Sequence, residues 1–166
     1  MKTAYEDGLD EFAVQWQQQG IDRDLMPMKL VGRILRLMKI IEGEISRCHE
    51  SFGLKQGEFD VLATLRRSGE PFSLTPSQLY QSMLLSSGAM TNRLDRLEQK
   101  GLIARQHSEE DRRSVLVSLT STGKALIEDA LPRHFDTMQR LVSGVMAEDR
   151  EQLAALLRHW LHDLDK

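Results

Sequence analysis

Polar residues with small or amide side chains recur at helical spacing within residues 87–100, which we predict to form a helix. At 100° per residue, Met90, Leu94 and Leu97 cluster on one side of it. The opposite side carries Gly88, Asn92, Asp95, Arg96 and Gln99, with Ser87 and Thr91 on one flank. Such side chains near the start of a helix can reach base edges in a DNA major groove, while an arginine contacts phosphate or guanine. The chemistry indicated is hydrogen bonding to a duplex.

A second polar cluster, residues 108–113, separates two segments with strand character, 102–107 and 114–119. Its sequence, SEEDRR, is too polar to bury, so a hairpin would present it to solvent. An arginine at such a tip can enter a minor groove, whose narrow walls concentrate negative potential, and a neighbouring aspartate can hold the guanidinium in position. The tip can therefore supply a second set of contacts to DNA.

Arg93 does not follow the pattern of the other polar residues on the predicted helix. It lies only about 60° from the centre of the apolar side, by the same helical geometry. Its guanidinium is therefore placed to turn into the protein as readily as toward DNA.

The elements that must position these residues have clear local signals. Thr75 and Gln78 form a T-x-x-Q capping box, and Pro76 fits the first helical position, so a short helix begins there. Gly101 is typical of a helix C-terminus. The order is therefore helix, turn, helix and two-stranded hairpin, which predicts a mainly α fold with a small β-hairpin wing, the winged helix-turn-helix.

Further helices are predicted on both sides of this unit. They cover residues 9–19, 28–50 and 54–67 before it, and residues from 121 to the C-terminus after it, with a kink at Pro132. In the long helix 28–50, one broad face is predicted to be buried through Val31, Ile34, Leu35, Met38, Ile41 and Ile45. In helix 54–67 the predicted core positions are Phe59, Leu62 and Leu65 or Ala63. Apolar helices at both ends exceed what one small domain needs, which favours packing against a second subunit.

Composition sets broad limits on the class of protein. The 166 residues are 40% hydrophobic and 28% charged, which fits one soluble domain, with dimerisation helices at 1–52 and 122–166 around a DNA-binding lobe at 53–121. No apolar run predicts a membrane span, no secretory signal is visible, and a single cysteine suits a reducing cytoplasm. The net charge of −3 gives no general indication of nucleic-acid binding. Any such function must therefore rest on local residues.

Two motifs carry a specific resemblance. The run S-x-x-x-x-T-x-R-L-D-R-L-E-x-x-G-L-I-x-R, followed by D-R-R-S-V-x-V-x-L-T-x-x-G, resembles the MarR family of bacterial transcriptional regulators. The resemblance implies a homodimer that binds a pseudo-palindromic operator, with recognition helices about 34–36 Å apart. It also implies that Arg113 is the wing arginine and Asp111 its partner. The predicted DNA contacts are Ser86, Ser87, Gly88, Thr91, Asn92, Arg96, Asp111, Arg112 and Arg113.

Within that family, the motifs Q-W, E-F-D-V-L-A-T-L-R-R-S-G, P-S-Q and R-L-D-R-L-E-Q are most similar to the urate-responsive branch that includes PecS and HucR. The resemblance implies a ligand set of one Trp, one Asp and two Arg, which falls on Trp16, Asp60, Arg93 and Arg105. Other interpretations remain open for two of them. Trp16 and Phe12 can instead be aromatic residues of a docking helix, and Asp60 can be a solvated or salt-bridged surface residue.

The ligand chemistry can be argued from the residues as well. Urate is a planar anion rich in carbonyl and N–H groups, so two guanidinium groups can bind its charge and an indole N–H can donate to its edge. Asp60 would be the trigger: the anion competes for its arginine, and Arg93 belongs to the recognition helix. The rival ligands are phenolic or aromatic acids and lipophilic drugs, as in other branches of the family.

Other residues with chemical potential have simpler explanations. Cys48 continues the apolar face of helix 28–50 and is predicted to be a buried structural thiol, although redox sensing is the alternative. His159 and His162, with His134 or glutamates, could be metal ligands but more simply occupy a solvated edge.

No nucleophile elbow, phosphate loop or paired-carboxylate motif is present, so neither an enzyme nor a cofactor is expected. Two classes remain: a ligand-responsive DNA-binding repressor, or a dimeric interaction protein that has a winged fold without operator recognition.

Overall fold

The computed structural model describes residues 5–83, 90–107 and 115–166. Its elements in chain order are α1 (Gly8–Gln18), α2 (Met26–Glu50), α3 (Gln56–Arg67), β1 (Ser73–Leu74), α4 (Pro76–Ser82), α5 (Met90–Gln99), β2 (Ile103–His107), β3 (Val115–Leu119), α6 (Ser121–Leu141) and α7 (Ala147–Leu164). The mainly α fold with a small β wing is therefore confirmed. The predicted contacts Ser86, Ser87, Gly88, Asp111, Arg112 and Arg113 lie outside the described residues.

The sheet contains a strand that the sequence did not predict. Its order is β1-β3-β2, and both pairings are antiparallel, with Ile103 opposite Leu119 and Leu74 opposite Val117. The predicted two-stranded hairpin is therefore the larger part of a three-stranded sheet. β1 has two residues, too few to show the alternation of apolar and polar side chains that marks a strand.

The two helices of the helix-turn-helix begin and end largely as their local sequence predicts. Gln78 N–H donates to Thr75 Oγ1 at 3.2 Å, and Thr75 N–H donates to Gln78 Oε1 at 2.8 Å, so the capping box of α4 is formed. Gly101 follows α5 with φ +68°, the left-handed conformation that glycine adopts without a steric penalty. α5 therefore ends at Gln99, and β2 begins at Ile103.

The start of α6 is joined tightly to the end of α5. Thr120 caps α6, accepting from Gly123 N–H at 3.0 Å, and its hydroxyl donates to the Gly101 carbonyl at 2.7 Å. A Cβ on Gly123 would lie 1.9 Å from the Leu102 carbonyl oxygen, so this close approach requires glycine. α6 then continues through Pro132, so the chain remains helical at the predicted kink.

Contacts divide the chain into two compact units, residues 1–44 and 45–166. The boundary lies within α2, and the second unit contains the winged lobe together with α6 and α7. In the first unit, Arg33 donates to Asp7 at 3.0 Å and to Asp10 at 2.7 Å, and Lys29 pairs with Asp10 at 3.2 Å. The hydrogen bond from Arg33 helps to lower the pKa of Asp7 to about 2. These ion pairs join α1 to α2.

The hydrophobic core lies in the second unit and connects α3, α4, α5, the sheet and α6. Its buried members are Leu54, Phe59, Val61, Leu62, Leu65, Leu79, Leu94, Leu97, Leu102, Ile103, Val117, Ile127 and Ala130. Phe59, Leu62 and Leu65 are buried as predicted, whereas the alternative position, Ala63, is only partly buried. The same core contains Leu94 and Leu97, so it fixes the apolar side of α5.

The prediction of a buried face on α2 is wrong for the single chain. Val31, Leu35, Met38 and Ile41 are each more than a third exposed, and Cys48 is only partly buried. None of the residues of α7 is buried. Apolar periodicity identifies which side of a helix avoids water, but it does not show whether the same chain covers that side. Among the described residues, no helix is both long and apolar enough to cross a membrane.

Candidate nucleic-acid interface and effector site

α5, the predicted recognition helix, has the two faces that its sequence predicts. Leu94 and Leu97 are buried against the core, while Thr91 and Asn92 are exposed. The two exposed side chains are a hydroxyl and an amide, which can donate to and accept from base edges. The described part of α5 is thus compatible with a polar surface aimed at DNA.

Arg96, a predicted DNA contact, is bound by a buried carboxylate on α3. Its Nε donates to Glu58 Oε1 at 3.1 Å, and Lys100 Nζ donates to Glu58 Oε2 at 2.7 Å. Glu58 is fully buried and also accepts from Lys55 N–H at 3.0 Å. Burial alone would raise the pKa of Glu58, but Lys100, the Lys55 N–H and Arg96 hold it below its usual value. This carboxylate joins α3 to α5.

Sequence reasoning missed Glu58. A signal was available, because Glu58 is three residues after Lys55 at the start of α3, where a glutamate typically reaches back to the first N–H of the helix. That signal predicts the cap alone. The ion pairs to Arg96 and Lys100 join residues about 40 positions apart, and no local pattern reveals them.

Arg93 turns toward α3. A Cβ on Gly57 would lie 2.3 Å from Arg93 Nε and 2.5 Å from its Cζ, so the guanidinium rests on the space that this glycine leaves open. Its Nη1 is buried and has no hydrogen-bond partner. A buried donor without an acceptor costs free energy, and an incoming acceptor would recover it.

Asp60 lies one turn after Gly57 on α3 and is partly buried. Burial raises its pKa above the usual aspartate value, while the positive charge of Arg93 acts in the opposite direction. Within the described ranges, neither a hydrogen bond nor an ion pair within 4.0 Å joins the two. Asp60 and Arg93 therefore sense each other's charge without a direct bond.

Arg105, on β2, is engaged elsewhere. Its Nη2 is hydrogen-bonded to Asp95 Oδ1, and its Nε lies 3.5 Å from Glu98 Oε2. Both carboxylates belong to α5, about 140–160° around the helix from Arg93. In the described part of the chain, no hydrogen bond or ion pair connects Arg105 to Asp60 or Arg93. Arg93 thus projects from one side of α5, and Arg105 contacts α5 on another side.

Trp16, the fourth residue of the predicted ligand set, lies on α1 and is 50% exposed. It belongs to the first unit, whereas Asp60, Arg93 and Arg105 belong to the second. Phe12, one turn earlier on α1, is also half exposed. Their rings therefore remain available for contact.

A cavity of about 830 Å³ opens beside Asp60, between α3 and α6. Apolar side chains, among them Phe59, Leu131 and Met138, provide much of its lining. The titratable groups that line it include Asp60, His49, His134, Arg66 and Glu128, and the last two form an ion pair at 2.8 Å. The volume and the mainly apolar walls with few polar groups are typical of small-molecule sites.

The cavity contains a histidine pair that sequence reasoning did not identify. His49 Nε2 lies 3.1 Å from His134 Nδ1, and the His49 ring stacks on Phe59 with centroids 3.8 Å apart. Burial, together with the neighbouring His134, lowers the pKa of His49 to about 4, and burial also lowers that of His134. The two positions are 85 residues apart, so only the packing of α2 against α6 brings them together.

The metal interpretation of the histidines finds no support in the residues that the structure describes. They contain no group of three or more His, Cys, Asp or Glu side chains able to hold a metal ion. His159 and His162 are exposed on α7, and His159 lies 3.7 Å from Asp163. His134 pairs with His49 instead.

Comparisons with known proteins converge on one kind of protein. The MarR family model matches residues 54–115. The HTH-type transcriptional regulator PecS of Dickeya dadantii is 36% identical over 149 residues, which cover 90% of each chain. A mutant MarR from E. coli complexed with operator DNA superposes with a TM-score of 0.71 at 26% identity, covering 84% of this chain and 99% of that one. Bordetella bronchiseptica BpsR, whose DNA binding is regulated by 6-hydroxynicotinic acid, gives a TM-score of 0.69 at 27% identity, with coverages of 78% and 91%.

Proposed function

Because the chain belongs to the MarR family of transcriptional regulators, we propose that it is a repressor released from its operator by a small anionic ligand such as urate. It acts in the cytoplasm as a homodimer on a pseudo-palindromic site. Thr91 and Asn92 read the major groove together with Ser86, Ser87 and Gly88. Arg113, oriented by Asp111 and next to Arg112, enters the minor groove.

The ligand part of the proposal is carried by one observation: Arg93 of the recognition helix has a buried, unpartnered Nη1 near a carboxylate that it does not bind. Of the four predicted ligand residues, Asp60 lines the cavity, whereas Trp16, Arg93 and Arg105 do not. The proposal is therefore that an anion bound beside Asp60 draws the Arg93 guanidinium toward it and supplies the missing acceptor. The same anion repels Asp60 and raises its pKa further, so binding takes up a proton and strengthens as the pH falls. A planar molecule with several carbonyl groups, such as urate, meets both requirements.

Release from DNA follows from the position of Arg93. A ligand that draws this guanidinium toward the cavity moves α5 relative to α3, because Arg93 rests on Gly57. Arg105 offers a second route, since its recruitment to a ligand would break its ion pairs with Asp95 and Glu98 of α5. The ligand needs to favour the released state by about 1–3 kcal/mol, the usual range for such coupling.

The homodimer is supported by apolar surface that the single chain leaves exposed. On α2 this surface includes Val31, Leu35, Met38 and Ile41. On α7 it includes Leu153, Leu156, Leu157, Leu161 and Leu164. Exposed apolar side chains that recur along one face of a helix, as on each of these two helices, mark an interface more often than a solvated face. A two-fold dimer also provides the second recognition helix that a pseudo-palindromic operator needs.

An aromatic acid is the second candidate ligand. The apolar lining of the cavity favours it, and the DNA binding of BpsR responds to 6-hydroxynicotinic acid. An aromatic carboxylate can satisfy Arg93 Nη1 as urate does, but it presents fewer acceptors. The two ligand classes therefore differ in how strongly they depend on a second cation.

An operator gel shift, titrated in parallel with urate and with salicylate, tests the proposal. We expect urate to release the duplex and Arg93→Ala to weaken this response about tenfold, while Arg23→Ala, which changes an exposed loop arginine, leaves it unchanged. Release by salicylate alone would assign the site to aromatic acids. If no duplex from the upstream region of its own gene binds in a salt-dependent manner, the chain is an interaction protein and not a repressor.

A further inference from the structure

We propose that Glu58, which cannot touch DNA, positions the recognition helix for operator binding and does so through Arg96 and Lys100. The inference rests on the proposed DNA-binding function but concerns a different part of the molecule from the ligand cavity. It also changes the role of Arg96, which was predicted from the sequence as a direct DNA contact.

The carboxylate of Glu58 uses both oxygens on separate partners. Oε1 accepts from Arg96 at 3.1 Å, and Oε2 accepts from Lys100 at 2.7 Å and from Lys55 N–H at 3.0 Å. A fully buried charge is stable only when such donors surround it, so the arrangement is demanded by the burial itself. Any shift of α5 along α3 would break one of these bonds.

Arg96 and Lys100 are four residues apart, one turn of α5, so the carboxylate holds the helix at two points along its axis. One contact would allow the helix to pivot, whereas two contacts fix both its rotation and its position. Lys100 Nζ also donates to the Gly53 carbonyl at 2.9 Å, which ties the C-terminal end of α5 to the turn between α2 and α3. The recognition helix is thus anchored where it meets α3.

Arg96 can contact DNA at the same time. Its side chain is 42% exposed, and its bond to Glu58 uses Nε, so N–H donors of the Nη groups remain for a second partner. Those groups can bind a phosphate, a contact that sets the register of a protein on DNA without reading its sequence. Glu58 is therefore a positioning residue: it holds Arg96 in place, and Arg96 contacts the backbone of the duplex.

Glu58→Gln separates this proposal from simple electrostatics. The substitution removes a negative charge next to the DNA-facing helix, so a long-range charge effect alone predicts tighter binding to any duplex. Positioning predicts the opposite. We expect operator affinity to fall at least tenfold while affinity for an unrelated duplex changes less than threefold. Glu50→Gln makes the same charge change on the exposed end of α2 and is the matched control.

Two further measurements keep the test decisive if Glu58→Gln is unstable. Arg96→Gln and Lys100→Gln change partly exposed side chains and retain Glu58, and each should lower the ratio of operator to unrelated-duplex affinity. Where Glu58→Gln is stable, its combination with Lys100→Gln should lower that ratio little further. A purely structural role would reduce the active fraction and leave that ratio unchanged, which would overturn the proposal.

Amide hydrogen exchange of the free protein decides the anchoring step without DNA. In Glu58→Gln, amides of α5 should exchange at least tenfold faster, while those of α6 keep their wild-type rates. Unchanged exchange in α5 would overturn the anchor even if operator binding fell. If the wild-type chain bound no duplex, the proposed function would fail and the operator role of Glu58 with it, whereas exchange would still report on the anchor.

Discussion

Glu58 and Asp60 are carboxylates two residues apart on α3, and both face charges from the recognition helix, yet their environments are opposite. Glu58 is fully buried, has three donors and has a lowered pKa. Asp60 is partly buried, lies near Arg93 without bonding to it and has a raised pKa. One carboxylate is fully satisfied and fixes α5. The other leaves both itself and Arg93 in need of a partner, which is what a ligand-responsive contact requires.

Removal of the two carboxylates should have very different effects on stability. Glu58→Ala removes the acceptor of Arg96 and one of the two acceptors of Lys100, but both side chains are about 40% exposed and regain some hydration. We expect the free energy of unfolding to fall by about 2–4 kcal/mol, less than for breaking a fully buried pair. Chemical denaturation at pH 7 measures it. A loss smaller than that of Asp60→Ala would contradict the comparison.

Lowering the pH should reduce the stability of the fold through the pair of His49 and His134, which lies beside Asp60. Because burial depresses the pKa of His49 to about 4, the unfolded chain binds a proton below its ordinary pKa of about 6.5 while the folded chain resists it. Stability is therefore complete above pH 6.5 and falls as the pH drops toward 4, by up to about 3 kcal/mol for this group.

Denaturation midpoints measured at intervals between pH 7 and pH 4 test this slope. His49→Phe keeps the stack on Phe59 but has no proton to gain, so its stability should change less with pH than that of the wild type. His159→Gln, at an exposed position, should retain the wild-type slope. Equal slopes in all three proteins would show that the buried pair does not control acid stability.

A methyl group at position 57 should disturb only the responsive contact. Gly57→Ala places a Cβ where Arg93 now lies, 2.3 Å from Nε, so the flexible guanidinium must move. We expect ligand affinity to change about tenfold, equivalent to about 1.4 kcal/mol, with operator affinity within threefold of wild type. Calorimetry and gel shifts measure the two effects.

Gly144→Ala provides the control for that substitution, because a Cβ there meets nothing within 4 Å. If Gly57→Ala weakened operator binding as much as ligand binding, Arg93 would help to fix α5 on α3, as Glu58 does, and would not form a ligand-responsive contact.

Asp60→Asn should have the smallest effect on stability. A raised pKa means that the charged form is disfavoured in the folded chain, so its penalty is absent below the unfolded pKa of 3.8 and grows as the pH rises. Removal of the charge should leave thermal stability at pH 7 unchanged or slightly higher, while the ligand no longer drives proton uptake. Calorimetry in two buffers of different ionisation enthalpy detects that uptake. A clear loss of stability would indicate that Asp60 has a bond that its surroundings do not suggest.

Sequence signals found the elements of this fold because those signals are local. The box at Thr75 and Gln78, the glycine after α5 and the apolar side of α5 each depend on residues within a few positions of one another. β1 was missed because two residues show no alternation. The face of α2 that was predicted to be buried is exposed in the single chain, since the pattern of one chain does not say what covers it.

The candidate site was only partly predictable, for the same physical reason. On the helical wheel, Arg93 lies near the apolar side of α5, which predicted that it can turn inward. In the structure its guanidinium lies against Gly57 of α3. The cluster around Glu58 and the pair of His49 with His134 join residues about 40 and 85 positions apart, which no periodicity encodes. The sequence around Arg105 does not indicate that Asp95 and Glu98 form ion pairs with it and so compete with a ligand.

The contact of Gly123 with the Leu102 carbonyl has a mechanical consequence. Since Thr120 also bonds to the Gly101 carbonyl, the end of α5 and the start of α6 form a stiff elbow with no slack between them. We expect a tilt of α6, which has 21 residues, to be passed through this elbow to α5. If α5 binds the operator as proposed, α6 would act as a lever, and a small displacement at its far end would change the angle of α5 on the DNA.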